Sequence, residues 1–129
     1  MGNESEFSLA GQSVLVVDDE GILRRRIAAH LRRLGADATE AETLGVAREL
    51  LSEMTFDFIM LDIHLPDGIG LELMREGSVP SGTGVVVMTA QGGVEGAVEA
   101  MRQGAVDYLV KPFDPGLLAL VMDRALSLI

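Results

Sequence analysis

The chain contains no cysteine, which excludes both a disulfide framework and a thiolate-ligated metal centre. It also lacks any apolar run of membrane-spanning length, and no charged-then-apolar signal sequence opens it. The opening Met1-Gly2 is not a myristoylation signal, because Glu6 stands where Ser or Thr is required. Positive charge is scarce: ten Lys and Arg against twenty Asp and Glu give a formal net charge of −10. Such a chain is poorly equipped to grip nucleic acid, which depends on neutralising phosphates. What remains is a soluble, cytoplasmic protein that needs neither membrane nor nucleic acid.

With 129 residues and 48% of them hydrophobic, the chain supports one sizeable core and is not disordered. Residues 1–12 are small and polar, and read as a flexible leader; the folded domain is expected over 13–129. Ser13–Val17 is β-branched and unbroken, the mark of a strand. Ile22–Leu34 is helical, with Leu23, Ile27, Leu31 and Leu34 on one face, and Gly35 stops it. An edge strand follows at Asp37–Ala41 and a helix at Leu44–Met54, its inner stripe made of Leu44, Ala47, Leu50 and Leu51. Phe58-Ile59-Met60-Leu61-Asp62 reads as an interior strand buried on both faces. Pro66, Gly68 and Gly70 mark the next stretch as a loop, leading to a short helix at Leu71–Glu76. Val85–Met88 is a fourth strand ending at Thr89, and Val94–Gln103 a helix closed by Gly104. Tyr108–Val110 is a fifth strand, and Pro115–Ile129 runs helical to the last residue.

Five alternations of strand and helix, joined by right-handed crossovers, imply an α/β fold: a doubly wound (βα)5 with a five-stranded parallel sheet. Parallel strands place their carboxyl ends on one edge, where open sheets bind ligands. The informative polar residues all fall at those ends: Asp18 and Asp19, then Asp62, Thr89 and Lys111.

Their types dictate the chemistry. Clustered carboxylates repel by roughly 4 kcal/mol per pair at 4 Å and an effective dielectric near 20. A divalent cation relieves this, and an all-oxygen site with few carboxylates suits Mg²⁺. Asp62 can then act as a carboxylate nucleophile that forms an acyl phosphate. Lys111 adds positive charge, and the Thr89 hydroxyl can bond a phosphoryl oxygen. Tyr108 is expected half-buried. Five arginines (Arg24, Arg25, Arg26, Arg32 and Arg33) share the first helix as a solvated face.

Asp18-Asp19, Asp62 with Pro66 and Gly70 behind it, Thr89-Ala90, and Tyr108-Leu109-Val110-Lys111-Pro112-Phe113 together resemble the receiver domain of two-component response regulators. The resemblance spans residues 13–129, and Ala100–Tyr108 is further similar to receivers attached to sigma-54-type transcription activators. It implies a flavodoxin-like sheet of order 2-1-3-4-5. It implies that Asp62 is the phosphoryl acceptor, and that Asp19, Asp62 and the His64 backbone carbonyl hold Mg²⁺, with Asp18 acting through water. Thr89 and Lys111 would contact the phosphoryl group, and Tyr108 would change rotamer with Thr89 as a switch. His64 and Gln91 would face the hydrolytic water, and the Lys111–Pro112 bond would be cis. The implied partners are a sensor histidine kinase or phosphotransfer protein, docking near the arginine helix, and a C-terminal output domain in a longer protein. The protein would be a signalling domain that catalyses only its own phosphorylation and dephosphorylation. The fifth helix is apolar nearly all round, from Leu117 to Ile129, and so needs a second burial partner. Homodimerisation on phosphorylation through the fourth helix, fifth strand and fifth helix is the expectation.

Two rivals fail on residues. A flavodoxin-like cofactor-binding module needs a Ser/Thr/Gly-rich phosphate loop after the first strand and aromatics around the flavin. Here Asp18-Asp19-Glu20 would repel a phosphate, and the chain has no Trp and one Tyr. An aspartate-nucleophile phosphatase needs a second Asp two residues beyond the nucleophile, where this chain has His64.

Overall fold

A computed structural model describes residues 7–90 and 92–128. Seven strands form: β1 (Ser13–Val17), β2 (Asp37–Ala41), β3 (Phe58–Asp62), β4 (His64–Leu65), β5 (Gly68–Ile69), β6 (Gly84–Thr89) and β7 (Asp107–Val110). The helices are α1 (Gly21–Arg33), α2 (Leu44–Glu53), α3 (Glu72–Arg75), α4 (Val94–Arg102) and α5 (Gly116–Leu126). The five long strands pair in parallel in the order β2-β1-β3-β6-β7. Counting only these strands, this is the expected order 2-1-3-4-5.

Alternation along each strand divides the core. Val14, Val16, Phe58, Met60, Val86 and Met88 face Ile27, Ala28 and Leu31 of α1 and Leu118, Val121 and Met122 of α5. Leu15, Val17, Ile59, Leu61, Val85 and Val87 face Leu44, Ala47 and Leu51 of α2, Leu73 of α3 and Ala100 of α4. All five residues of β3 are buried, as an apolar run ending in one aspartate requires.

Four expectations need correction. The flexible leader does not extend through residue 12. Leu9 is fully buried and its N–H donates to the Leu34 carbonyl at 2.7 Å, so the C-terminal end of α1 anchors this segment. Residues 1–6 lie outside the described residues. The loop after Asp62 is folded back on itself, with β4 and β5 pairing antiparallel as His64↔Ile69 and Leu65↔Gly68. Two strands of two residues carry too little alternation to read from sequence. Helix α3 is the short helix expected, at four residues, but α5 ends at Leu126, three residues before the expected terminus. Finally, Arg24 is not solvated, as described below.

Candidate functional site

The site is built where the parallel strands end. Asp62 is the last residue of β3 and pairs in register with Met88 of β6; Thr89 pairs with Val110, one residue before Lys111. The Lys111 N–H donates to the Thr89 carbonyl at 2.8 Å, which sets the lysine beside the centre of the sheet edge. The Lys111–Pro112 bond is cis, as expected. Asp18 follows β1, and its N–H is held by the Ala41 carbonyl of β2 at 3.0 Å.

Three carboxylates converge on one ammonium. Lys111 Nζ lies 2.7 Å from Glu20 Oε2, 2.8 Å from Asp18 Oδ2 and 3.1 Å from Asp62 Oδ2. Asp18, Glu20 and Asp62 each place an oxygen within 4.8 Å of the others. Asp18 and Asp62 are buried. Three negative charges against one positive leave two unbalanced, with Asp18 and Asp62 removed from water and Glu20 exposed to it. Asp18 Oδ2 has no hydrogen-bond partner, so only the Lys111 ion pair meets its charge.

The electrostatics follow from this crowding. Burial, and then the Asp18 charge, push the Asp62 carboxyl above its ordinary pKa; Lys111 and the His64 N–H pull the other way without cancelling them. Burial alone would lower the Lys111 pKa, but the carboxylates of Asp18, Glu20 and Asp62 outweigh it and hold it above the usual ammonium value. The site thus keeps its lysine charged and carries an acid whose ionised form is disfavoured until more positive charge arrives.

The expected site residues do not all converge equally. Asp18, Asp62 and Lys111 meet. Asp19 is exposed and stands outside the three-carboxylate group, although it lines the same cavity of about 280 Å³ with Glu20, Asp62, His64, Ala90 and Lys111. Glu20 takes the third place instead, which the sequence reading did not assign to it. The adjacent Asp18-Asp19-Glu20 triplet was visible, but which two acids turn inward depends on the turn geometry. Asp18 Oδ1 accepts the Glu20 N–H at 2.9 Å, and this local turn brings Glu20 back over the site. The His64 N–H lies 3.3 Å from Asp62 Oδ1 and its side chain is exposed. Gln91 lies outside the described residues.

Thr89 is buried, and its hydroxyl faces the Ala90 and Gly93 carbonyls at 3.4 Å each. Tyr108 is 44% exposed, close to the half-burial expected, on edge strand β7. Thr89 and Tyr108 both line an apolar cavity of about 160 Å³, together with Gly93 and with Val94, Ala97 and Met101 of α4.

An all-oxygen donor set with two unbalanced negative charges and an orphaned buried carboxylate oxygen fits a small, hard divalent cation such as Mg²⁺. The carboxylates of Asp18, Glu20 and Asp62 beside Lys111 at the strand ends do not form a flavin phosphate loop.

Comparison with known proteins agrees. Residues 14–123 match the family described as response regulator receiver domain. The chain is 38% identical over 122 residues to the response regulator protein PilR of Pseudomonas aeruginosa, covering 93% of this chain and 27% of that protein. It is 38% identical over 116 residues to the regulatory protein AtoC of Escherichia coli, covering 89% of this chain and 25% of that protein. The chain therefore spans about a quarter of the length of these curated relatives. Among solved structures, the receiver domain of NtrX from Brucella abortus superposes with a TM-score of 0.82 at 35% identity, covering 88% of this chain and 98% of that one. The Francisella response regulator 1452 receiver domain gives a TM-score of 0.80 at 27% identity, covering 92% and 100%. Fold, strand-end chemistry and these likenesses converge, and the chain belongs to the receiver domains of two-component response regulators.

Proposed function

We propose that this receiver domain accepts a phosphoryl group on Asp62 from the phosphohistidine of a sensor kinase or phosphotransfer protein, and passes the change to an output domain in a longer protein, of the sigma-54-type activator class. The observation that carries the reading is Lys111 Nζ spanning Asp18, Glu20 and Asp62 within 3.1 Å, with charge still unbalanced. In the transfer, an Asp62 carboxylate oxygen forms the new P–O bond as the P–N bond to the donor imidazole breaks. The electron pair of that bond returns to the imidazole nitrogen.

Receiver domains hold Mg²⁺ through acidic residues. Here Asp19 and Asp62 with the His64 backbone carbonyl would hold it, Asp18 would act through water, and Glu20 would compete for Lys111. Such a cation supplies charge neutralisation for the incoming phosphoryl oxygens. Lys111 supplies the remaining positive charge from the protein itself. The buried Thr89 hydroxyl would turn from the Ala90 and Gly93 carbonyls to a phosphoryl oxygen, drawing α4 inward and letting Tyr108 fill the cavity that both line. Phosphorylation would then strengthen self-association through α4, β7 and α5.

The test is intact-mass measurement after incubation with acetyl phosphate. One phosphoryl group should add in the presence of Mg²⁺, and none after chelation or in Asp62→Asn. Equal labelling with and without Mg²⁺, or in Asp62→Asn, would overturn the reading.

A further inference from the structure

Arg24 departs from the arginine face it belongs to. Its neighbours Arg25 and Arg26 point to solvent, whereas the Arg24 side chain is only 12% exposed. Its guanidinium forks across two elements. Nη1 donates to the Asp18 backbone carbonyl at 3.0 Å, and Nε donates to Glu40 Oε1 on edge strand β2 at 3.0 Å. Glu42 Oε2 lies 3.9 Å from Nη1. The Asp18 backbone is thereby clamped at both ends, its N–H by the Ala41 carbonyl and its carbonyl by Arg24. Asp18 in turn holds the Glu20 N–H through Oδ1. The turn that carries Asp18, Asp19 and Glu20 is therefore fixed from β2, through Glu40 and Arg24.

We infer that Arg24, held by Glu40, is a positioning residue for the acidic turn, and that it sets how tightly the site binds a divalent cation. The inference rests on the reading above, in which Asp19 of this turn and Asp62 hold the cation and Asp18 reaches it through water. The sign of the effect separates positioning from plain electrostatics. Arg24 is a positive charge close to a cation site, so its removal should tighten cation binding if only its field mattered. If it positions the turn, removal should weaken binding, because groups that orient metal ligands typically control about 10–100-fold in affinity. A lysine keeps the charge but lacks the fork that reaches both Asp18 and Glu40.

Arg32 provides the matched control. It also approaches Glu40, at 3.7 Å, and donates to the Ala38 carbonyl at 2.7 Å, yet makes no contact with Asp18. The experiment is calorimetric titration of Mg²⁺ into wild type, Arg24→Met, Arg24→Lys and Arg32→Met, alongside hydrogen exchange of the Glu20 amide without metal. Expected are about tenfold weaker binding in Arg24→Met, a smaller loss in Arg24→Lys, wild-type affinity in Arg32→Met, and faster Glu20 exchange in both Arg24 variants. If Arg24→Met fails to fold, Arg24→Lys with the exchange measurement carries the test. Unchanged or tighter binding in the Arg24 variants, with wild type binding normally, overturns this inference alone. A wild type that binds no Mg²⁺ overturns the reading beneath it as well.

Discussion

At the scale of the residue, Asp62 is a buried carboxylate crowded by a second one, Asp18. Burial and the nearby Asp18 charge raise its pKa above the ordinary 3.8. The folded state therefore binds that proton more tightly than the unfolded chain, and stability falls as pH rises from the ordinary value through the raised one. Below the ordinary value both states are protonated and the cost vanishes. Asp62→Asn removes the charge while leaving Lys111 paired with Asp18 and Glu20. In the absence of metal at neutral pH it should melt higher by a few degrees, the size expected for about 1 kcal/mol in a domain of this length. Thermal melts across pH would show the gain shrinking toward pH 4 and below. A gain that persists unchanged at low pH would place its origin elsewhere. Asp62, Lys111 and Thr89 were legible in the sequence because each closes an apolar strand. Glu20 and Arg24 were not. Glu20 turns inward through a side-chain-to-backbone bond, and Arg24 is buried by an acid on a different element, neither of which leaves a periodic signal.

At the scale of the element, the stretch after β3 shows why glycines sit where they do. A Cβ on Gly70 would collide with the Asp62 carbonyl oxygen, and one on Gly93 with the Thr89 hydroxyl. The first holds the β4–β5 turn against the end of β3, and the second lets α4 begin directly over Thr89. Gly70→Ala should destabilise the domain by about 1–3 kcal/mol, as overpacking does. It should also perturb the backbone resonances of Asp62 and Ile63 more than those of β1; a wild-type melting point would show that the turn yields freely. Asp67, in the same turn, accepts the Leu44 and Gly45 N–H groups at 2.8 and 2.9 Å, so the loop also caps α2. The long elements followed from their hydrophobic periods to within a residue or so at most ends. The two-residue strands β4 and β5 and the packed segment around Leu9 did not. Long-range contacts decide these: Leu9 is ordered by the Leu34 carbonyl at the end of α1, not by any pattern of its own.

At the scale of the whole molecule, two surfaces contrast. Among the described residues, no helix is long and apolar enough to cross a membrane, yet α4, β7 and α5 together expose Val94, Val98, Met101, Val110, Leu117 and Leu120. Helix α4, proposed above to move with phosphorylation, carries part of this apolar face, so in that proposal the switch and the contact surface would share α4. Moving such an equilibrium from mostly off to mostly on takes about 5.5 kcal/mol of differential binding. Charge-assisted bonds from Thr89 and Lys111 to a phosphoryl group are of the right strength to contribute to this. With Mg²⁺ and beryllofluoride, a phosphoryl mimic, sedimentation velocity should show a stronger monomer–dimer equilibrium than without them, and Leu120→Glu should reverse it. An equilibrium unaffected by the mimic would leave the apolar face to another partner. All of this rests on the proposed phosphorylation of Asp62, whose position can be located directly. Borohydride reduces an acyl phosphate to an alcohol, so the phosphorylated chain, reduced and digested, carries a permanent mark at the acceptor. The mark should map to Asp62 alone. Reduction at Asp18, Asp19 or Glu20, with Asp62 intact, would contradict the account at its centre.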